Sequence, residues 1–244
     1  MYSEWETKDA SMKTIGIIGG MSWESSALYY QNINEMTKQK LGGLHSAKII
    51  LSSVDFAEIE RLQHLGDWTQ LGEILTAEAK HLEQAQADFI LIATNTMHKV
   101  ADIVQNAIQI PLLHIADATA KELVKKKYQK VGFIGTRYSM EEDFYIKRLE
   151  EQYGLVVITP SKQDRDNIHR IIYEELCLGK ILPESRETYI DIVNRLHAAG
   201  AEAVIEGCTE ITLLLKQEHV IVPLFDTTYI HAKAAVDEAL TPTL

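Results

Sequence analysis

Residues 13–19 spell KTIGIIG, a short run rich in β-branched side chains that ends in glycine. Residues 130–135 repeat the run as KVGFIG. β-Branched residues favour strands, and runs of this kind alternate along the chain with longer stretches of helical periodicity. That alternation is typical of βαβ units around a parallel sheet, so the sequence predicts an α/β protein.

Two further segments recur in the same order. ADFILIATNT at 87–96 returns as AEAVIEGCT at 201–209, and IPLL at 110–113 returns as VPLF at 222–225. The three pairs are 117, 114 and 112 residues apart. This small drift predicts two pseudo-symmetric open parallel-sheet halves, at 12–114 and 115–225, with a last helix at about 226–244 packing back onto the first. Ligands bind at the carboxyl ends of parallel strands, so we expect the active site in the cleft between the halves.

The local patterns also predict element boundaries. Strands are expected at 14–18, 48–53, 89–93, 112–115, 131–135, 155–159, 203–206 and 222–225. Helices are expected at 24–40, 69–86, 99–107, 117–127, 141–153, 164–178, 184–198 and 229–240.

Composition limits the function classes. The 244 residues carry a net charge of -11, which argues against a nucleic-acid partner because phosphate binding needs a basic face. Two cysteines are too few for a disulfide framework. Residues 1–11, expected to be either an extension or a remnant of a tag, lack the apolar core of a signal peptide. No apolar run approaches the ~20 residues that span a bilayer. We therefore expect a cytoplasmic protein without a membrane partner.

Cys208 is the first candidate for chemistry. It follows an apolar strand in the run GCTE at 207–210, and a helix is expected to begin at Ile211. A cysteine at a helix N-terminus is expected to have a lowered pKa. The equivalent place in the first half is occupied by Thr94, in the run TNTMH at 94–98, so we expect Thr94 to lie opposite Cys208. His98 is equally compatible with a structural and a functional role.

The remaining motifs indicate less about the ligand and the chemistry. The glycines of GGMS at 19–22 permit a tight turn near a small anion, but the spacing matches neither a dinucleotide fold nor a P-loop. No cluster has metal-ligand spacing, so we expect no metal. Cys177, inside a helical run, is expected to serve packing.

The chain from residue 12 to 240 resembles the cofactor-independent aspartate/glutamate racemases, through IIGGM at 17–21, TNTMH at 94–98 and GCTE at 207–210. The resemblance implies an enzyme without pyridoxal phosphate (PLP) or another cofactor, a small amino-acid substrate and a homodimer. In this family two cysteines act as paired bases on opposite faces of the α-carbon. The implied catalytic residues are Thr94 and Cys208, with Cys208 acting on the L-enantiomer. The implied substrate-binding residues are Met21, Arg61, Asn95, Thr96, Thr136 and Thr209.

Three departures bear on the activity. Thr94 stands at the position of the family's first cysteine, and a threonine hydroxyl is a poor base near neutral pH. Cys177 lies near the position of the family's lysine, with Lys180 three residues on, and Arg61 lies near that of its arginine. Three functions therefore stay open: a racemase for aspartate, glutamate or a broader set of amino acids; a single-thiol decarboxylase of the same superfamily; and an amino-acid-binding protein without activity.

Overall fold

Two parallel sheets form the centre of the computed structural model, which describes residues 12–242; the expectation for residues 1–11 lies outside this part of the chain. The first sheet has the order β2-β1-β3, with β1 (Ile15–Gly19), β2 (Ile49–Ser53) and β3 (Phe89–Ile92). The second has the order β5-β4-β6-β7, with β4 (Lys130–Gly135), β5 (Val156–Ile158), β6 (Ala203–Gly207) and β7 (Leu224–Asp226). The predicted α/β class with two parallel sheets is confirmed.

Helices surround the sheets. Within the described residues they are α1 (Trp23–Leu41), α2 (Phe56–Leu65), α3 (Trp68–Gln84), α4 (Ala101–Asn106), α5 (Ile115–Lys125), α6 (Arg137–Glu141), α7 (Asp143–Tyr153), α8 (Lys162–Glu174), α9 (Pro183–Ala198), α10 (Ile211–Leu214) and α11 (Thr227–Ala239). Short 3₁₀ helices cover Thr96–Val100, Leu176–Leu178 and Gln217–His219. None of the helices within residues 12–242 combines the length and apolar character that a membrane crossing requires.

The strand order repeats between the sheets. β1 and β4, which contain the repeated run, each lie between two parallel neighbours. β3 pairs with β1 as β6 pairs with β4. Beyond β3, Leu112 makes a single parallel bridge to Ile90, at the place where β7 pairs with β6 in the second sheet. The carboxyl ends of equivalent strands therefore carry Thr94 and Cys208.

That single bridge replaces the strand expected at 112–115. The His114 imidazole accepts a hydrogen bond from the Ala116 backbone N–H, which caps α5 and starts the helix at Ile115. Pairing therefore ends before a strand can form, because a helix cap competes for the same residues.

One expected helix, at 164–178, is broken, the helix expected at 141–153 begins two residues later, and two helices, α2 and α6, were missed. The extended backbone of Glu142 separates α6 from α7, and α8 ends at Glu174, before the 3₁₀ turn at Leu176–Leu178. α2 was not predicted, because only ten residues separate Asp55 from Gly66 and so short a run offers few turns over which to recognise a helical period. Its ends have local signals, an Asp55 side chain that caps the helix and a left-handed Gly66 that ends it.

The last helix contacts the first sheet. Ala232 and Val236 of α11 are buried in one cluster with Tyr29 and Ile33 of α1 and with Ile17 of β1. Burial of these apolar side chains joins the C-terminal end of the described chain to its beginning. The division of the chain at residues 114 and 225 stays a prediction.

Three buried histidines connect β3, α5 and α11 beneath the strand ends. His98 accepts from the Ile115 N–H through Nε2 at 3.2 Å, so its Nδ1 carries the proton and donates to the Thr94 carbonyl at 2.8 Å. His231 donates through Nε2 to the Leu113 carbonyl at 2.8 Å. The His98 and His114 ring centroids are 4.5 Å apart. Burial lowers the pKa of His114 to about 3 and that of His231 to about 4, and lowers that of His98 as well. All three imidazoles are therefore neutral in the folded protein.

This cluster predicts a loss of stability in acid. The unfolded histidines bind protons below pH ~6.5, whereas the folded ones do not until far lower pH, so the free energy of unfolding should fall as pH drops from ~6.5 toward 4. His114→Asn keeps a capping acceptor but removes one titrating group, and its acid slope should be shallower by up to ~1.4 kcal/mol per pH unit. Urea unfolding between pH 4 and 7 measures this, with exposed His45→Asn as the control. Equal slopes for His114→Asn and wild type would contradict the prediction.

Candidate active site

The candidate site is a cavity at the carboxyl ends of β1, β3, β4 and β6. It has a volume of about 30 Å³, room for one or two water molecules. The lining residues come from both sheets: Met21, Ser25, Phe56, Gln63, Thr94, Asn95, Thr96, Thr136, Ile172, Tyr173, Cys177, Gly207, Cys208, Thr209 and Glu210. Parallel strands bring these segments together because each strand ends at the same edge of its sheet.

A tight turn after β1 brings Met21 and Ser25 to the cavity. Gly20 has a φ of +91°, and a Cβ there would lie 2.2 Å from the Val54 carbonyl oxygen. The turn therefore requires glycine. Ser22 then caps α1 by accepting from the Ser25 N–H at 3.3 Å.

Seven of the eight residues predicted for the site line this cavity. They are Thr94, Cys208, Met21, Asn95, Thr96, Thr136 and Thr209. Arg61 does not: it is exposed on α2, which instead directs Phe56 and Gln63 to the cavity. Residues two apart on a helix point in nearly opposite directions, so α2 turns Arg61 away from this cavity, and its role in substrate binding stays a prediction. The catalytic and binding roles of the other seven stay predictions.

The cavity also contains residues that the sequence did not single out. Cys177, expected to serve packing, lines the cavity because the 3₁₀ turn after α8 brings it there. Tyr173 of α8 donates to the Gln63 Oε1 across the cleft at 3.4 Å. The helical period of α8 predicts that some residues face inward, but only the packing of the two sheets decides what they face.

Cys208 is hydrogen-bonded to a carboxylate. Its Sγ donates to Glu210 Oε2 at 2.9 Å, and Ser22 donates to Glu210 Oε1 at 3.0 Å. Burial, the Glu210 charge and the Cys177 thiol raise the pKa of Cys208 well above its ordinary range. The expected lowering of this pKa is wrong. α10 has only four residues, so its dipole is small, while burial and an acidic neighbour both oppose the thiolate.

Thr94 is held by its backbone. Its carbonyl oxygen accepts the hydrogen bond from His98 Nδ1, which fixes the second residue after β3. His98 itself is 3% exposed, and both of its ring nitrogens are occupied by backbone groups. We conclude that His98 supports Thr94 and is not available for proton transfer in the cavity.

Uncharged hydrogen bonds close the cleft around the cavity. The Ser25 and Thr209 hydroxyls are 2.9 Å apart, and the Thr96 and Thr136 hydroxyls are 3.0 Å apart. Asn95 Nδ2 donates to Thr227 Oγ1 at 3.0 Å, while its buried Oδ1 has no partner among the described residues. An acceptor without a donor is costly when buried, so this oxygen is suited to an incoming donor.

The lining contains one charged side chain, that of Glu210, and no Lys, Arg or His among the described residues. Within residues 12–242, no group of three or more His, Cys, Asp or Glu side chains is arranged to hold a metal ion. The chemistry that these side chains offer is proton transfer by thiol, carboxyl and hydroxyl groups.

Comparison with known proteins gives the family. Residues 18–235 match the model of the Asp/Glu/hydantoin racemase family. A broad-specificity amino-acid racemase, RacX of Bacillus subtilis (strain 168), is 22% identical over 234 residues, which are 93% of this chain and 98% of that protein.

Two solved structures are similar over nearly the whole chain. A Yersinia pestis protein grouped with the Asp/Glu racemases is 54% identical, with a TM-score of 0.90, and the match covers 94% of this chain and 100% of that one. An aspartate racemase homologue from Pyrococcus horikoshii OT3 is 38% identical, with a TM-score of 0.81, over 93% and 99% of the two chains. The chain therefore belongs to the Asp/Glu/hydantoin racemase family and is an enzyme of the PLP-independent racemase type.

Proposed function

We propose that this enzyme inverts the α-carbon of a free amino acid, with Cys208 removing the proton of the L-enantiomer and Thr94 serving the opposite face. One observation carries the proposal: the two side chains follow equivalent strands, β6 and β3, and line the same cavity. Inversion at one carbon needs a proton-transfer group on each face, and two related halves supply such a pair.

The family description names aspartate and glutamate, which makes them the first substrates of the proposal. The Bacillus subtilis relative, a broad-specificity amino-acid racemase, extends the proposal to a broader set of amino acids. The proposal also includes a cytoplasmic location and a homodimer, both of which the sequence analysis expects.

Glu210 supplies the base that frees the Cys208 thiolate. The thiol already donates to Oε2, so its proton passes to the carboxylate along an existing hydrogen bond. The thiolate then takes the α-proton and leaves a substrate carbanion. The factors that raise the Cys208 pKa also make its thiolate a stronger base, which favours removal of a weakly acidic C–H proton.

Thr94 completes the inversion from the opposite face. Its hydroxyl donates a proton to the carbanion, water returns a proton to the threonine oxygen, and Glu210 gives up the proton it took from Cys208 to the hydroxide that remains, so all three groups return to their starting states. The reverse step, starting from the D-enantiomer, is more difficult because a threonine hydroxyl is not ionised near neutral pH. Enantiomers have equal free energy in water, so the equilibrium ratio of the two enantiomers is unaffected. The difference between the reactions from the L- and the D-enantiomer therefore appears as unequal kcat and KM values.

Asn95 is the group best suited to the substrate ammonium. Donation from Nδ2 to Thr227 fixes the amide, and this leaves the buried Oδ1 to accept. An ammonium carries three donors and matches that acceptor.

A single-thiol decarboxylase is the second candidate, and Thr94 favours it. Loss of carbon dioxide would leave a carbanion that one thiol can protonate, so the second face would need no base. Release of carbon dioxide from the substrate distinguishes this reaction from inversion.

Cys208→Ala should abolish turnover because it removes the proposed base. We expect α-proton exchange of L-amino acids in deuterated water, followed by NMR, to fall at least ~10²-fold. Cys177→Ala is the matched control, since it removes the other thiol of the cavity and should retain activity. Near-normal exchange in Cys208→Ala would show that another group is the base.

Glu210→Gln separates two roles of the carboxylate. If Glu210 only raises the Cys208 pKa, its removal should increase the thiolate fraction and the exchange rate. If it accepts the thiol proton, exchange should fall by ~10²-fold although the thiol becomes easier to ionise. We expect the fall, together with faster alkylation of Cys208 by iodoacetamide at the same pH. A faster enzyme would contradict the proposed transfer.

Thr94→Cys should raise exchange from the D-enantiomer toward the L-value, because it provides an ionisable group on the second face. Thr94→Ser keeps a hydroxyl and should leave the L-preference in place. Exchange of both enantiomers is measured by NMR in deuterated water. The assignment of Thr94 fails if wild type exchanges the two enantiomers equally and Thr94→Cys changes neither rate.

A further inference from the structure

We propose that a pocket beside the cavity is an entry site, where a free amino acid binds as a zwitterion before it reaches Cys208. The pocket has a volume of about 290 Å³, against about 30 Å³ for the cavity. Its lining comes from α2 of the first half and from α6 and α8 of the second. The inference rests on the proposed function and adds a binding site to it.

Gln63 and Tyr173 separate this entry pocket from the cavity, since both residues line both spaces. The Tyr173 hydroxyl donates to Gln63 Oε1 at 3.4 Å, which is a long and therefore weak hydrogen bond. Gln63 is also held from its own side and from α6. Its Nε2 donates to Met97 Sδ at 3.1 Å, and its backbone carbonyl accepts from the Tyr138 hydroxyl at 3.3 Å. Movement of the Tyr173 side chain alone would therefore connect the two spaces.

A second pocket also adjoins the cavity, but it suits an amino acid less well. It shares Ser25, Thr209 and Glu210 with the cavity. The Ser25 and Thr209 hydroxyls are 2.9 Å apart, and Glu210 accepts two hydrogen bonds, so this wall is closed by more and shorter bonds. Its charged residues are Glu24 and Glu210, and no cation among the described residues lines it. A carboxylate would be repelled there.

Each half supplies the entry pocket with one charged group that lacks a close partner. Glu60 of α2 forms no ion pair with another residue of the described range. Arg137 of α6 lies 3.5 Å from Asp166, whereas Lys162 lies 2.8 Å from the same carboxylate. An amino acid carries a carboxylate for the arginine and an ammonium for the glutamate, so the zwitterion matches both walls.

The walls of the entry pocket are joined across the cleft. The Tyr138 ring of α6 packs edge-on against Trp68 of α3, with the ring centroids 5.4 Å apart. His169 of α8 accepts from the Arg137 backbone N–H at 3.2 Å, which fixes the start of α6 beside α8. The pocket therefore exists while the cavity is closed, as a first binding site requires.

Removal of either charge should weaken capture of the amino acid without changing its chemistry. We expect Arg137→Gln and Glu60→Gln each to raise KM for α-proton exchange about two- to fivefold, the range for a partly exposed ion pair, with kcat near the wild-type value. Glu58→Gln is the matched control, since it neutralises an exposed glutamate of the same helix outside the pocket. An unchanged KM in both pocket variants, or a fall in kcat instead, would overturn the entry site.

A covalent plug distinguishes the two routes. His64→Cys places a thiol in the entry pocket, and Ala27→Cys places one in the second pocket; both positions are exposed on helices. A bulky maleimide labels such thiols well before the buried native ones. Labelled His64→Cys should lose most of the exchange activity of its unlabelled form, whereas labelled Ala27→Cys should keep its own. Any other pattern would overturn the inference.

Thiol access separates this inference from the proposed function. If the unlabelled proteins exchange no amino acid, the proposed function fails, but iodoacetamide must still reach Cys208 from outside. Alkylation of Cys208, followed by mass spectrometry, should be slower in labelled than in unlabelled His64→Cys. The label should leave the rate unchanged in Ala27→Cys. Equal rates in labelled and unlabelled His64→Cys would overturn the inference whatever the catalytic activity.

Discussion

The two sheets face each other through hydrogen bonds between uncharged side chains, and the shape of the site depends on these contacts. The contacts join Ser25 to Thr209, Thr96 to Thr136 and Asn95 to Thr227. Each bond of this kind contributes about 0.5–1.5 kcal/mol net, so the set holds the cleft closed but does not lock it. A cavity of about 30 Å³ is too small for an amino acid, so the cleft must open to admit one. These neutral contacts can separate without parting an ion pair, although outside them Lys99 of the first half pairs with Glu142 of the second.

Charge is confined to a few places around that neutral contact. Beneath these contacts, burial and hydrogen bonds to backbone groups keep the histidines neutral. Thr94 is therefore held in place by a rigid group that carries no charge. Among the neutral contacts, the Glu210 carboxylate accepts one hydrogen bond from Ser22 of the first half and one from Cys208 of the second. The state of the thiol proton therefore depends on a residue from each half. Closure of the cleft therefore assembles the proton acceptor as well as the cavity.

The sequence could predict seven strands and the places where they end, but not that residues 112–115 form only a single bridge. β-Branched runs are local signals, and their repetition predicted that Thr94 and Cys208 occupy equivalent positions. It could not predict which residues of α2 face the cavity, because the directions of Arg61 and Gln63 depend on how this short helix packs against the sheets. Nor could it predict the position of Cys177, which depends on how a 3₁₀ turn of one half meets the strand ends of the other. The Cys208–Glu210 hydrogen bond depends on side-chain conformations, which no spacing encodes.

The protonated state of the two thiols also bears on the chemical durability of the enzyme. Peroxides and electrophiles react with thiolates, whereas a buried neutral thiol is nearly inert. Cys208 and Cys177 both have raised pKa values and lie behind a closed cleft, so oxidants should modify them slowly. An enzyme that carried a permanent thiolate would be reactive at all times and would be lost to sulfenic and sulfinic acids. In the proposed mechanism the reactive form arises only when the proton moves to Glu210, which would limit exposure to damage to the moments of turnover.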